Sequence, residues 1–201
     1  MRRLSLDEAD AALAAGAVVA VPTDTVYGLA ARLDRPEAIE AIFSLKRRPE
    51  AVALPVLVAT IEALAPLGVE LGPLGRRLAE RYWPGALTLV VTAPEELAAR
   101  VHARSDTLGV RVPADPTVAA LLERTGPLAV TSANEHGEPP CTSVADLAAV
   151  FAGRDGLAGV LDGGVRAAAV STVVDLTAGE VRVLRAGALS AEAIRAALAA
   201  D

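Results

Sequence analysis

Ala17-Val18-Val19-Ala20-Val21-Pro22-Thr23-Asp24-Thr25-Val26-Tyr27-Gly28-Leu29 is the stretch on which the reading of this chain turns. An apolar, β-branched run stops at a proline, and two hydroxyls and a carboxylate follow at once. The run, Ala17 to Val21, is expected to be a buried strand, because branched side chains pack well on a pleated surface and proline cannot extend a ladder. Polar side chains placed where such a strand ends are typical of a ligand-facing loop. The same residues would also suit a plain turn, with Thr and Asp bonded to their own backbone.

Working outward, Ser5-Leu6-Asp7-Glu8 has the form of a capping box and predicts a helix running to about Ala15. Pro36 opens a second helix that ends near Lys46, with Ala38, Ile39, Ile42, Phe43 and Leu45 at helical spacing. Strands are expected over 54–58, 87–92, 108–112, 128–131, 160–161, 172–176 and 182–184. Helices are expected over 73–82 and 116–124, after the cap Ser143, and after Ser190 with Glu192 in the first turn. Alternating strands and helices make an α/β class. Short connections between the late strands point to a mixed sheet with antiparallel pairs. No repeat or linker divides the chain, so 1–201 is expected to be a single domain.

With 53% hydrophobic and 22% charged residues, the 201-residue chain is too apolar to be disordered. Gly, Pro or a charge interrupts each apolar run before the roughly 18–20 residues of a membrane span, so no membrane is expected as a partner. Arg2-Arg3 is followed by three acids, a poor flank for a signal peptide. The lone Cys141 cannot form an internal disulfide, which reads as a cytoplasmic location. A net charge of -6 argues against gripping nucleic acid with the whole surface.

Two residues stand out by rarity. Of the 19 basic residues only Lys46 is lysine, and Asn134 is the sole side-chain amide in a chain without glutamine. Lysine offers a compact, rotatable ammonium, and asparagine a donor and acceptor on one short arm. Lys46-Arg47-Arg48-Pro49 falls at a predicted helix C-terminus. There the cations either relieve the last carbonyls or hold a polyanion. Arg111, inside the apolar Gly109-Val110-Arg111-Val112-Pro113, needs an anionic partner if buried, either an internal carboxylate or a ligand carboxylate or phosphate. Ser132 and Asn134, two apart after a strand, could face one ligand. A weaker signal joins Asp162-Gly163-Gly164, Ser171-Thr172 and Arg185. Walker and dinucleotide glycine patterns are missing. With His102, His136 and Cys141 as the only soft ligands, no metal-ligating residues are assigned. Cys141 as a nucleophile with His136 as base is disfavoured by two prolines in the short loop between them, and His136 is expected to be exposed.

The ordered set Pro22-Thr-Asp-Thr-Val-Tyr-Gly-Leu29, Lys46-x-Arg48-Pro49, Pro84-Gly85 before Leu87-Thr88-Leu89, Val110-Arg111-Val112-Pro113, Ser132-Ala-Asn134 and Ser171-Thr172-Val173-Val174-Asp175-Leu176 resembles the YrdC-like family of L-threonylcarbamoyladenylate synthases. The resemblance spans about Ala17 to Gly187, and is to the short, single-domain bacterial form. It implies a twisted mixed sheet flanked by helices around a central concave cavity. It also implies a reaction in which L-threonine, bicarbonate and ATP give threonylcarbamoyl-AMP and pyrophosphate, for threonylcarbamoyladenosine (t6A) in tRNA. On this basis Lys46, Arg48, Ser132 and Asn134 are the implied catalytic residues. Lys46, Arg48, Thr107, Asn134, Thr142 and Arg185 would bind ATP, with Mg2+ as cofactor, and Thr25, Arg111, Ser132 and Ser171 would bind threonine. The product would pass to a tRNA threonylcarbamoyl-transfer complex, with weak tRNA contact as a further implied partner. Val52-Ala53 replaces the Lys-Pro or Asn-Pro that often follows Arg-Pro in the family, and His136 stands where a serine is usual. The alternative is an RNA-binding module of the same fold without synthase activity.

Overall fold

A computed structural model describes residues 1–47, 53–103, 106–167 and 169–199. Its helices start where local chemistry predicts. Helix α1 (Leu6–Ala14) carries the full Ser5–Glu8 capping box. Helix α2 (Pro36–Lys46) has its proline in the first turn and ends on Arg47 in the left-handed region. Helices α3 (Gly72–Tyr82) and α4 (Glu95–Arg100) follow, then α5 (Pro116–Thr125), where Asp115 caps the Thr117 and Val118 amides. Helix α6 (Val144–Phe151) has a second capping box, Ser143 with Asp146, and α7 (Ala191–Ala199) starts after Ser190.

The strands are β1 (Val18–Val21), β2 (Gly28–Arg32), β3 (Val56–Leu57), β4 (Leu87–Thr92), β5 (Thr107–Arg111), β6 (Leu128–Ser132), β7 (Leu157–Val160), β8 (Thr172–Asp175) and β9 (Arg182–Arg185). They form one sheet in the order β7-β1-β2-β6-β3-β5-β4-β8-β9. Three pairs are parallel, β1 with β7, β3 with β5 and β4 with β8, and the other five are antiparallel. This is the mixed sheet expected from the sequence.

Several elements depart from expectation. Strand β2 is not anticipated from the sequence; it leaves the Thr23–Tyr27 turn and pairs along its whole length with β6. It begins on glycine because a Cβ at position 28 would come within 2.6 Å of the Val130 side chain. Strand β3 is shorter than 54–58, since Pro55 offers no N–H and its carbonyl instead accepts from Val130. Helix α4 and the 3-10 turn Glu62–Leu67 were not anticipated; each is six residues long, too short for a clear period. Strand β7 begins three residues before the expected 160–161. Arg2-Arg3, weighed only as a flank, pairs in parallel beside β7, with Arg3 opposite Val160.

Side chains on the two sheet faces build separate cores. One gathers Val18, Ala20, Leu29 and Ala31 against α2, and extends through Val110, Leu89 and Val174 to α3 and α7. The other packs α1 and α5 against Val19, Val21, Ala30, Leu128 and Val130. Thus α1 and α5 cover only the β1–β2–β6 half of their face. The β3–β5–β4–β8 half of that same face floors a cavity. No described helix is long and apolar enough to cross a membrane.

Candidate active site

The cavity encloses about 410 Å³. Strand alternation explains its floor. Thr88 and Val90 of β4, Thr107, Gly109 and Arg111 of β5, and Ser171 and Val173 at β8 recur at every second position and so point the same way. The row is mostly small or hydroxyl-bearing, and it leaves room above the sheet. Pro55 and Leu57 line the cavity from the β3 side, Thr131 and Ser132 from β6, and Thr23, Thr25 and Tyr27 from the loop after β1.

That loop satisfies both readings of its sequence. The Thr23 hydroxyl donates to the Val26 carbonyl at 2.6 Å and accepts from the Thr25 and Val26 amides at 3.2 Å, which is a turn held by its own side chain. Thr23 and Thr25 nevertheless face the cavity. Arg111, nearly buried, finds its anion inside the protein. It donates to Asp24 at 2.7 Å, to the Thr25 hydroxyl at 3.2 Å and to the Gly85 carbonyl at 2.8 Å. A Cβ at position 85 would collide with the Tyr82 carbonyl, so glycine is what lets that backbone come close.

Arg185 is held differently. Its Nε and NH2 donate to the Ser171 carbonyl at 3.1 and 2.9 Å, and NH2 also reaches the Ser171 hydroxyl at 3.0 Å. The Ser171 hydroxyl lies 3.0 Å from that of Thr88. Partial burial pushes the Arg185 pKa down, with no opposing acid among the described residues. Burial also lowers Arg111, Asp24 opposes this, and Arg185 adds to it by like-charge repulsion. Two guanidiniums therefore face one cavity, and among the described residues only Arg111 is paired with a carboxylate, Asp24.

On the β6 side, Lys46 and Asn134 come together. The Lys46 ammonium, 1% exposed, donates to the Asn134 carbonyl and to Asn134 Oδ1, each at 2.9 Å, and to the Ser132 carbonyl. Ser132 Oγ donates to Asn134 Oδ1 at 2.7 Å, and Asn134 Nδ2 donates to the Glu135 and Glu138 carbonyls. The ammonium thus turns inward onto the Ser-x-Asn turn. Of these three residues, Ser132 alone lines the cavity.

Of the residues singled out in the sequence, Thr25, Thr107, Arg111, Ser132, Ser171 and Arg185 line the cavity, and Lys46 and Asn134 back it. Thr142 stands apart, its amide and hydroxyl both donating to Asp146 at 2.9 Å at the start of α6. Arg48 lies outside the described residues, as does Val52. Thr88 and Asp24 were not assigned roles, though a threonine between Leu87 and Leu89 signals a polar side chain on a buried face. His136 is exposed, and burial pushes the Cys141 thiol up to about 11, so this pair is no thiolate nucleophile.

The Sua5/YciO/YrdC family model, described as "Telomere recombination", matches residues 11–187. The chain is 37% identical over 194 residues to a threonylcarbamoyl-AMP synthase of Bacillus subtilis, covering 95% of this chain and 56% of that protein. It therefore spans about half the length of that relative. A shorter one, a threonylcarbamoyl-AMP synthase of Xanthomonas axonopodis pv. citri, is 37% identical over 183 residues, 89% of this chain and 96% of that protein. The crystal structure of Pyrococcus abyssi Sua5 complexed with L-threonine matches with a TM-score of 0.89 at 35% identity, over 98% of this chain and 59% of that chain. A model match across most of the chain, with relatives this similar in sequence and fold, shows that the chain belongs to the Sua5/YciO/YrdC family.

Proposed function

We propose that this chain is a threonylcarbamoyl-AMP synthase, a nucleotidyltransferase that serves t6A formation in tRNA. The observation that carries the reading is the pair Arg111 and Arg185 facing one cavity, Arg111 bonded to Asp24 and Arg185 to no acid among the described residues. Such a site favours an anion, and an arginine fork matches a carboxylate or phosphate. The volume, about 410 Å³, falls in the range of roughly 300–1,000 Å³ usual for small-molecule sites. The P. abyssi relative's complex with L-threonine supports an amino-acid ligand.

In this reading the threonine carboxylate is held by Arg111 with Thr25 and Ser171. Its ammonium group, on losing a proton, condenses as the amine with bicarbonate to give a carbamate and water. A carbamate oxygen then attacks the ATP α-phosphorus. An O–P bond forms, the bond to the β-phosphate bridging oxygen breaks, and pyrophosphate leaves. Positioning and charge neutralisation supply most of the catalysis of such a transfer. Ser132 orients the carbamate and α-phosphate, fixed by Asn134, and Lys46 adds its field from behind. Arg48, Arg185 and Thr107 are assigned to the nucleotide. Thr142 contacts it only if its bond to Asp146 opens. Among the described residues no cluster of His, Cys, Asp or Glu could hold a metal. Mg2+ is therefore proposed to arrive on the triphosphate, as part of the substrate. The product is released to a tRNA threonylcarbamoyl-transfer complex.

Incubating the protein with ATP, bicarbonate and each amino acid in turn, with mass spectrometry of the products, tests this. Threonine alone should yield the carbamoyl-adenylate. Binding of tRNA with no adenylate from any amino acid would overturn the synthase reading in favour of an RNA-binding module.

A further inference from the structure

Lys46 and Asn134 sit on separate elements, the end of α2 and the loop after β6, and their contact needs those elements held in register. The His136 amide contributes by donating to the Lys46 carbonyl at 2.9 Å. A second tie comes from outside the corner. Arg154, just past the end of α6, donates through NH1 to the Leu45 carbonyl at 2.6 Å and through NH2 to the Glu135 carboxylate. Its guanidinium lies 5.4 Å from the Phe151 ring centre. Glu135 also meets Arg47 at 3.7 Å. One planar side chain therefore grips the residue before Lys46 and the residue after Asn134.

We propose that Arg154 is a positioning residue of the active site, a clamp that sets the distance between the α2 terminus and the Ser132–Asn134 turn. The inference rests on the synthase reading of that corner. Arg154 does not line the cavity, and its hydrogen bonds go to Leu45 and Glu135, so it acts through Lys46 and Asn134. Its hydrogen bond, and then the charges of Arg154 and Arg47, pull the Glu135 pKa below its ordinary value, as expected of a carboxylate engaged by the clamp. Half-exposed ion pairs add little to folding stability, so a substitution here should disturb geometry more than stability. A lysine would keep the charge but lose the fork that spans both acceptors.

The test uses the full chain with Arg154→Ala, Arg154→Lys and, as a control, Arg124→Ala, which removes the Arg124–Asp7 pair between α5 and α1. Two quantities are read: hydrogen exchange at the His136 amide, and kcat and KM for threonine-dependent pyrophosphate release. Arg154→Ala should speed His136 exchange about tenfold and lower kcat about 10- to 100-fold with KM little changed, as misplacement of reacting groups does. Arg154→Lys should recover part of both, and Arg124→Ala should match wild type. Wild-type exchange or wild-type kcat in Arg154→Ala, or equal losses in Arg124→Ala, would overturn the clamp. If Arg154→Ala does not fold, Arg154→Lys carries the same comparison, and wild-type values there count against the clamp. A wild-type protein inert with threonine would instead sink the synthase reading, and His136 exchange alone would then decide whether Arg154 sets the corner.

Discussion

Lys46, behind β6, and Arg185, on β9, flank one cavity with β3, β5, β4 and β8 between those strands, and they use their charges in opposite ways. Lys46 is sealed behind Ser132, its ammonium on two carbonyls and an amide oxygen. Arg185 lines the cavity and, among the described residues, donates to Ser171 and meets no acid. A sealed cation fixes the shape of a site, whereas a cation without an acid is poised for a ligand. Arg111 stands between the two, lining the cavity yet tied to Asp24.

The largest effect should come from Lys46→Ala. It takes a donor from the Ser132 and Asn134 carbonyls and from Asn134 Oδ1, which keeps the Ser132 hydroxyl, and an unmet buried polar group costs about 1–3 kcal/mol. Denaturant melts should therefore show a lower midpoint, and adenylate formation should fall about a thousandfold, as expected when a positioning and electrostatic element is lost. Lys46→Arg should not rescue, because a planar fork cannot replace a point charge that reaches three acceptors. Wild-type stability in Lys46→Ala would mean that the ammonium does not hold the corner.

Arg185→Ala should behave in the opposite sense. It leaves no acid unpaired, so stability should stay within about 0.5 kcal/mol of wild type. The KM for the anionic substrate should rise about tenfold to a hundredfold, the loss of one charge-assisted contact worth about 1.5–3 kcal/mol. Arg111→Ala should show both kinds of loss, since among the described residues Asp24 then keeps the Ala114 amide as its one donor. A destabilised Arg185→Ala variant would erase the distinction between the two sides of the cavity.

This contrast also marks where the sequence could be read. Ser5 with Glu8, Ser143 with Asp146 and the proline opening α2 were legible because a cap involves residues a few positions apart. Rarity drew attention to Lys46 and Asn134, and the order of motifs placed them in one site. The inward turn of the ammonium was not legible, because it depends on acceptors 86 and 88 positions away. Strand β2 was missed for the same reason. Tyr27-Gly28 reads as the end of a loop until pairing with β6 extends it. Arg111 could be seen to need an anion, but Asp24 lies 87 positions off, so composition left the internal and ligand answers equal.

The smallest effect concerns Cys141, which belongs to the sealed side. Its amide donates to the Ala133 carbonyl at 2.8 Å and its carbonyl accepts from Tyr27 at 3.0 Å, so its backbone joins the Ser-x-Asn turn to the loop after β1. Burial, then the nearby Asp146 charge, raise the thiol from 9.0 to about 11, while Lys46 pulls it down. A group whose native pKa is raised contributes stability below its unfolded value and loses it as pH climbs towards the native one. Wild type should therefore lose stability between about pH 9 and 11 more steeply than Cys141→Ala, the difference between the two melts isolating this thiol from other alkaline groups. At pH 8 a thiol-alkylating reagent should label native protein far more slowly than denatured protein, because little thiolate forms and the side chain is 2% exposed. Adding Lys46→Ala removes the one cation that lowers this thiol. If labelling accelerates in that variant, the corner opens without Lys46, and if it slows further, Lys46 acted on Cys141 through charge alone.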